Sequence, residues 1–378
     1  MRPRTSWRRR LVVFSLFAAL LALWLPASSH VRAASLLQRF ASPEAPGPLG
    51  RVARQPIQER DFPLPDTRAR IYLPLDVKRP SGIVLVHGVH YKGIDEPRLV
   101  RFARSFAAAG VAVLTPEVRE LCDYRIDPAS IETIGRSARA LSDKLGGIRV
   151  GVMGLSFAGG LALIAATDPR YEGAFGFVVA VGAHDDMDRV LHYFLTNEAP
   201  RPDGTILRRH AHDYGPAILV YSHVADFFAP PDVPIAHEAL RSLLHEDFEA
   251  ARARAQALSP QGAAKMRHVL SRDTSALGAE LDAEVSRLRP TFAAVSPSAH
   301  LAALRVPVLL LHGAGDTVIP SSETEWLAHD APPAMVRAVL ISPVVEHVEL
   351  QNDAKLGETL ILVQFVSEVL DAIDQERR

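Results

Sequence analysis

The chain has one cysteine in 378 residues, Cys122, so no intrachain disulfide can form. Glu120 and Asp123 flank it, and acidic neighbours raise a thiol pKa, which argues for a packing residue over a nucleophile. An excess of one charge is also missing. Lys and Arg total 42 against 43 Asp and Glu, a formal net charge of −1. This excludes the strongly basic footprint of a nucleic-acid binder. No internal repeat is found, which excludes solenoid and propeller architectures.

What is present begins with a basic head and an apolar run. Arg2, Arg4, Arg8, Arg9 and Arg10 precede the almost wholly apolar Leu11 to Leu25. Pro26, small residues and Val31-Arg32-Ala33-Ala34 follow. Residues 1–33 therefore read as a secretory signal cleaved after Ala33, or as an N-terminal membrane anchor. The run is shorter than the roughly 20 apolar residues of a full membrane span. Arg8-Arg9-Arg10 also admits a twin-arginine signal. No cysteine follows the run, so a lipoprotein is excluded. Each remaining reading places the domain outside the cytoplasm, periplasmic, secreted or tethered to a membrane through residues 11–25. Losing residues 1–33 takes away six arginines and no acid, and the acidic remainder would repel nucleic acid and anionic lipid. Residues 34–66 carry Pro43, Pro46, Pro48, Pro56, Pro63 and Pro65 and read as a Pro-rich linker or a lead-in along the surface.

The rest is apolar enough, at 48% for the whole chain, to bury a sizeable core. Strand patterns at 68–73, 82–87, 111–116, 148–153 and 175–182 alternate with helix patterns at 99–109, 131–145 and 157–166. That alternation predicts an α/β fold, a mostly parallel sheet with helices on both faces, over residues 67–186 and 300–378. Between them, residues 187–299 are too many for a plain connection. Helical patterns at 189–196, 217–228, 235–257 and 278–288 suggest an inserted helical cap. Its Tyr193, Phe194, Tyr221, Phe227, Phe228 and Phe248 either line an apolar pocket or bury the cap against the core.

The chemistry concentrates at strand ends. Gly154-Leu155-Ser156-Phe157-Ala158-Gly159-Gly160 follows a buried strand. A sharp strand-to-helix turn lifts a serine hydroxyl above the sheet, and small flanking residues let helix and strand approach. Ala158 stands where such turns usually carry Gly. Pro307 to Leu311 reads as a strand ending in the Gly-rich turn of Asp316, and Met335 to Ser342 as another followed by Glu346-His347. Upstream, Gly82 to Val86 ends in His87-Gly88-Val89.

With its serine, acid and histidine in the order Ser156, Asp316, His347, the chain resembles the α/β-hydrolase family, in particular its esterase-like and dienelactone-hydrolase-like serine hydrolases, over about residues 67–378. The resemblance implies Ser156 as nucleophile, His347 as base and Asp316 as the acid orienting it. It places the oxyanion donors at the backbone N–H groups of Val89 and Phe157. The substrate would be a small acyl compound, most simply a carboxylic ester, with no cofactor and no metal. Peptidase, acyltransferase and cofactor-free perhydrolase use the same triad, and a catalytically dead binding protein keeps the same fold. Asp185 or Asp186 is a second candidate acid. His184-Asp185-Asp186 and His210-Ala211-His212-Asp213 are metal-like runs better read as helix caps and loop residues. His87 and His312 read as braces beneath their loops, and His90 and Tyr91 as neighbours of the pocket.

Overall fold

The computed structural model describes residues 28–43, 47–52, 54–271, 275–346, 349–350 and 355–377. Eight strands form one sheet: β1 (Ile57–Asp61), β2 (Ala69–Pro74), β3 (Gly82–Val86), β4 (Ala112–Pro116), β5 (Val150–Leu155), β6 (Phe175–Val181), β7 (Val308–Gly313) and β8 (Val336–Ser342). Their order is β1-β2-β4-β3-β5-β6-β7-β8. β2 runs antiparallel to β1 and β4, and every later pairing is parallel.

Side chains alternate across each strand, so one strand feeds two cores. Val84 and Val86 face α3 (Pro128–Lys144) and α4 (Phe157–Thr167). Ile83 and Leu85 face α2 (Pro97–Ala108) and α12 (Leu356–Gln375). A sheet covered on both sides needs unbroken apolar runs, and the wholly buried β3, β5, β6 and β7 have them. Helix starts are equally local. Glu96 accepts a hydrogen bond from Leu99 N–H ahead of α2, Asp127 one from Ala129 N–H ahead of α3, and each helix opens on proline. The α/β fold class, with helices on both faces of a mostly parallel sheet, is as expected.

The order of connections matters most for the site. From β3 the chain passes through α2 to β4 on one side, then through α3 to β5 on the other. The connections thus diverge above β3 and β5, and ligands bind at such switch points, outside the carboxyl ends of the strands.

Three expectations need correction. Residues 34–66 are not a plain linker. A helix, α1, spans 28–41, and Ala33, Leu36 and Phe40 are buried on one side of it. Ala33, Leu36, Leu37 and Phe40 follow the i, i+3, i+4, i+7 spacing of an amphipathic helix. Second, 235–257 is two helices, α7 (Val233–Leu244) and α8 (Phe248–Ala255). Glu246 takes φ 64°, a left-handed conformation that ends α7, and Asp247 caps α8 by accepting from Ala250 N–H. Likewise 217–228 divides at His223 after α6 (Tyr214–Ser222). Third, α9 (Pro260–Leu270) was not anticipated, although Ser259 caps it and Pro260 opens it.

Between β6 and β7 the chain also contributes α5 (Met187–Thr196), α10 (Gly278–Phe292) and a short ribbon pairing Glu198–Pro200 with Ile206–Arg208. α5 is tied to α11 (Ser322–Asp330) by charge. Arg189 Nε lies 2.9 Å from Glu323 Oε1, and Arg189 Nη2 lies 2.6 Å from Asp185 Oδ2. Both carboxylates are buried, and one guanidinium serves the two. The backbone N–H groups of Asp185 and Asp186 both donate to Glu323 Oε2. Burial, with Glu323 close by, pushes the Asp185 carboxyl up to about 8.

Candidate functional site

Ser156 stands between β5 and α4 with φ 57° and ψ −135°. A non-glycine residue holds such a conformation only where its surroundings impose it, at a cost of about 1–3 kcal/mol. Here the imposition comes from both sides. Ser156 N–H donates to Val181 O at 2.7 Å, and Ser156 O accepts from Gly159 N–H at 2.8 Å. A Cβ on Gly154 would lie 2.3 Å from Ala158 O, so the strand can run this close to α4 only as glycine. Ala158, where such turns usually carry Gly, is fully buried in the core. Phe157 opens α4, so its N–H has no acceptor within the helix and faces the turn.

The His87-Gly88-Val89 turn belongs to the adjacent strand, since Val86 of β3 pairs with Gly154 of β5. A Cβ on Gly88 would meet Ser156 Cβ at 3.3 Å, so this turn lies directly against the serine. His87 is the brace expected of it. Its Nδ1 lies 2.7 Å from Gly88 O, and its Nε2 accepts from Val118 N–H at 2.9 Å. This pattern assigns the proton to Nδ1. Burial lowers the His87 pKa to about 4, so the ring is neutral. Beneath it Cys122 is inert, its thiol pushed up to about 12 by burial first and by Glu117 and Glu120 second.

Asp316 is buried beyond β7, one strand past Gly182 at the end of β6. Its Oδ1 accepts from Val318 and Ile319 N–H at 2.8 and 3.1 Å, which fixes the carboxylate plane. His312 packs behind it, Nε2 at 3.5 Å from Asp316 Oδ2, with its ring held by Thr324 Oγ1 and Ile319 O. His347 lies outside the described residues, as do residues 1–27 with their arginines and apolar run.

The other singled-out residues have structural roles. Asp186 caps α5 by accepting from Arg189 N–H, and Asp185 belongs to the Arg189 pair. His184 Nε2 contacts Val295 O at 2.8 Å, and burial lowers its pKa to about 4. His212 N–H donates to Thr317 O at 2.8 Å, tying the inserted segment to the acid loop. His90 lines a recess beside Ser156, whereas Tyr91 stacks on His245. Sequence reasoning missed the trio His223, Asp226 and Glu284, whose ligand atoms approach one another closely. Arg287 already pairs with both acids, so the cluster has its cation.

Two cavities meet at Val89. The smaller is lined by Ser156, Gly88, Glu96, Arg98, Phe102 and, from α1, Phe40, among others. The larger, about 640 Å³, lies between the sheet ends and the inserted helices. Of the six aromatics proposed for its wall, only Phe194 is there. Tyr193, Tyr221, Phe227 and Phe228 are buried in packing, and Phe248 is exposed. Tyr124 and Tyr214 line it instead.

No protein-family model matches the chain, and no curated protein matches its sequence. Distant structural likenesses exist. A protein proposed to be a lipase from Acinetobacter baumannii aligns at 14% identity, TM-score 0.47, over 84% of this chain and 93% of that one. A Pyrobaculum calidifontis esterase aligns at 18% identity, TM-score 0.44, over 91% and 90%. A membrane phospholipase A described as a bacterial virulence factor aligns at 16%, TM-score 0.44, over 98% and 99%. The strand order and the two covered faces, rather than these likenesses, define the α/β-hydrolase architecture.

Proposed function

We propose that the protein is a serine hydrolase that cleaves carboxylic esters or related acyl bonds through an acyl-enzyme. The carrying observation is Ser156, held at positive φ at the switch point of the sheet and against the Gly88 turn. In this reading His347 takes the Ser156 proton as Oγ attacks the acyl carbon. Asp316, its carboxylate plane fixed by two backbone N–H groups, orients the imidazole and stabilises the imidazolium. The N–H groups of Phe157 and Val89 receive the charge that develops on the substrate oxygen, and loss of one such donor costs about 2.7–4 kcal/mol of barrier. His347 then protonates the leaving group and activates the water that frees the acyl group.

Location outside the cytoplasm is part of the proposal, with residues 11–25 as a retained anchor rather than a signal cleaved after Ala33. Contacts on both sides of that bond support this. Ser29 Oγ donates to Asp371 Oδ1 at 2.6 Å, Arg32 Nη1 lies 2.6 Å from Asp374 Oδ2, and Ser35 Oγ donates to Val52 O. Among the described residues no helix is long and apolar enough to cross a membrane.

The test is labelling of the purified protein with a fluorophosphonate probe beside Ser156→Ala and His347→Ala. The expected result is labelling of the parent, and its absence from a folded parent overturns the reading. Turnover of p-nitrophenyl esters against the matching anilides then separates esterase from peptidase.

A further inference from the structure

The larger cavity is walled by residues from three of the loops of the proposed site. Val89 follows the Gly88 turn, Phe157 follows Ser156, and Val318 donates its N–H to Asp316. Opposite them stand α5, α6 and α10, through Met187, Leu191, Ile218, Leu219 and Leu288. Most of the wall is aliphatic or aromatic, and 640 Å³ is well within the roughly 300–1,000 Å³ of cavities that enclose a whole ligand. The recess on the other side of Val89 differs in size, and Phe40, Leu99 and Phe102 line much of it. It is small, and Glu96, Arg98 and His90 bring polar groups to it, with Arg98 Nε 2.8 Å from Glu96 Oε1.

From this juxtaposition we infer that the substrate is an ester of a long, unbranched fatty acid. Its acyl chain fills the cavity under α5, α6 and α10, and its alcohol portion leaves through the smaller recess beside Arg98. The inference rests on the hydrolase reading and adds the substrate class. Ser156 lines the recess, Phe157 the cavity and Val89 both, so an acyl carbon at Ser156 Oγ, with its oxygen toward the N–H groups of Val89 and Phe157, lies where the two meet. Attack forms the Oγ–acyl bond and expels the alcohol, protonated by His347. Water then cleaves that bond and releases the fatty acid. Flexible chains suit an aliphatic wall because each CH₂ transferred from water to such a site contributes a similar increment.

The test has two arms. In the first, kcat/KM is measured for p-nitrophenyl butyrate, octanoate and dodecanoate below their aggregation limits, in the parent, Ile218→Trp and Leu288→Trp. The expected parent profile rises with length, by about fourfold per CH₂ until the chain is fully enclosed. Each tryptophan lowers the dodecanoate-to-butyrate ratio at least about tenfold, a ratio that general loss of folded enzyme leaves unmoved. The second arm uses Ser156→Ala and follows the fluorescence of cis-parinaric acid on binding, which needs no catalysis. Saturable binding that weakens on adding Ile218→Trp or Leu288→Trp supports the acyl-chain site independently of catalysis. A flat or falling length profile, or parinarate binding untouched by both tryptophans, overturns it. Fluorophosphonate labelling with a flat profile keeps the hydrolase and removes the fatty acyl chain.

Discussion

At the scale of residues, strain at Ser156 separates two losses that are usually confounded. Alanine removes the hydroxyl but keeps a Cβ at φ 57°, ψ −135°, whereas glycine removes both. Both variants are expected to be inactive. Ser156→Gly is expected to be more stable than Ser156→Ala by about 1 kcal/mol, read from chemical denaturation midpoints. Equal midpoints would mean that the turn does not load the backbone at this position. The residues around the serine were legible in the sequence because their constraint is local. Gly154, Ser156 and Gly159 are determined by a turn only a few residues long, and Asp316 by the turn that follows a buried strand. The role of His184 and the bond from the Asp185 N–H to Glu323 were not legible, because Val295 and Glu323 lie more than a hundred residues away.

The element most exposed to pH is α5, through its buried charges. In the native state Asp185 keeps its proton up to about 8, against an ordinary value of 3.8. The folded chain therefore binds more protons than the unfolded one across that interval, and Asp185 lowers stability as pH rises through it. His87 and His184 act in the opposite sense. Each protonates near 6.5 when unfolded and only near 4 when folded, so their contribution is lost as pH falls from about 6.5 to about 4. Two imidazoles outweigh one carboxyl below 6.5, and the carboxyl acts without them above. Stability is expected to peak near pH 6.5 and to decline toward pH 8, with a slope of at most about 1.4 kcal/mol per pH unit. Asp185→Asn should remove the alkaline decline. Urea unfolding between pH 4 and 9 measures both limbs, and a parent with no decline above 6.5 would show that Asp185 stays charged beside Arg189.

For the whole molecule, α1 makes the first contacts with the core among the described residues. A chain beginning at residue 34 lacks Ser29, Arg32 and the buried Ala33, and keeps barely two turns of the helix. Compared with a chain beginning at 28, it is expected to lose about 1–3 kcal/mol. Each kcal/mol corresponds to roughly 1–2 °C in Tm for a domain of this size. Calorimetry of the two chains checks this, and coincident transitions would leave residues 28–33 outside the cooperative unit. Phe40 of the same helix lines the recess beside Ser156 and lies 5.0 Å from the Phe102 ring. Loosening α1 is thus expected to alter the site as well as the melting temperature.

By itself the sequence determined the alternation of strands and helices from β2 to β6, the strands β7 and β8, the turn that raises Ser156, and the placing of Gly88 and Asp316 after buried strands. Each of these depends on apolar periodicity or turn chemistry within about ten neighbouring residues, where side-chain direction follows from backbone geometry. Only the tertiary structure decided that α1 packs on the core, that Arg189 joins two buried acids, and which side chains enclose the 640 Å³ cavity. A cavity wall draws on loops and helices from Val89 to Val318. Which face of a helix turns inward is then settled by close packing against partners far away in the chain, and periodicity within the helix cannot encode which partner that is.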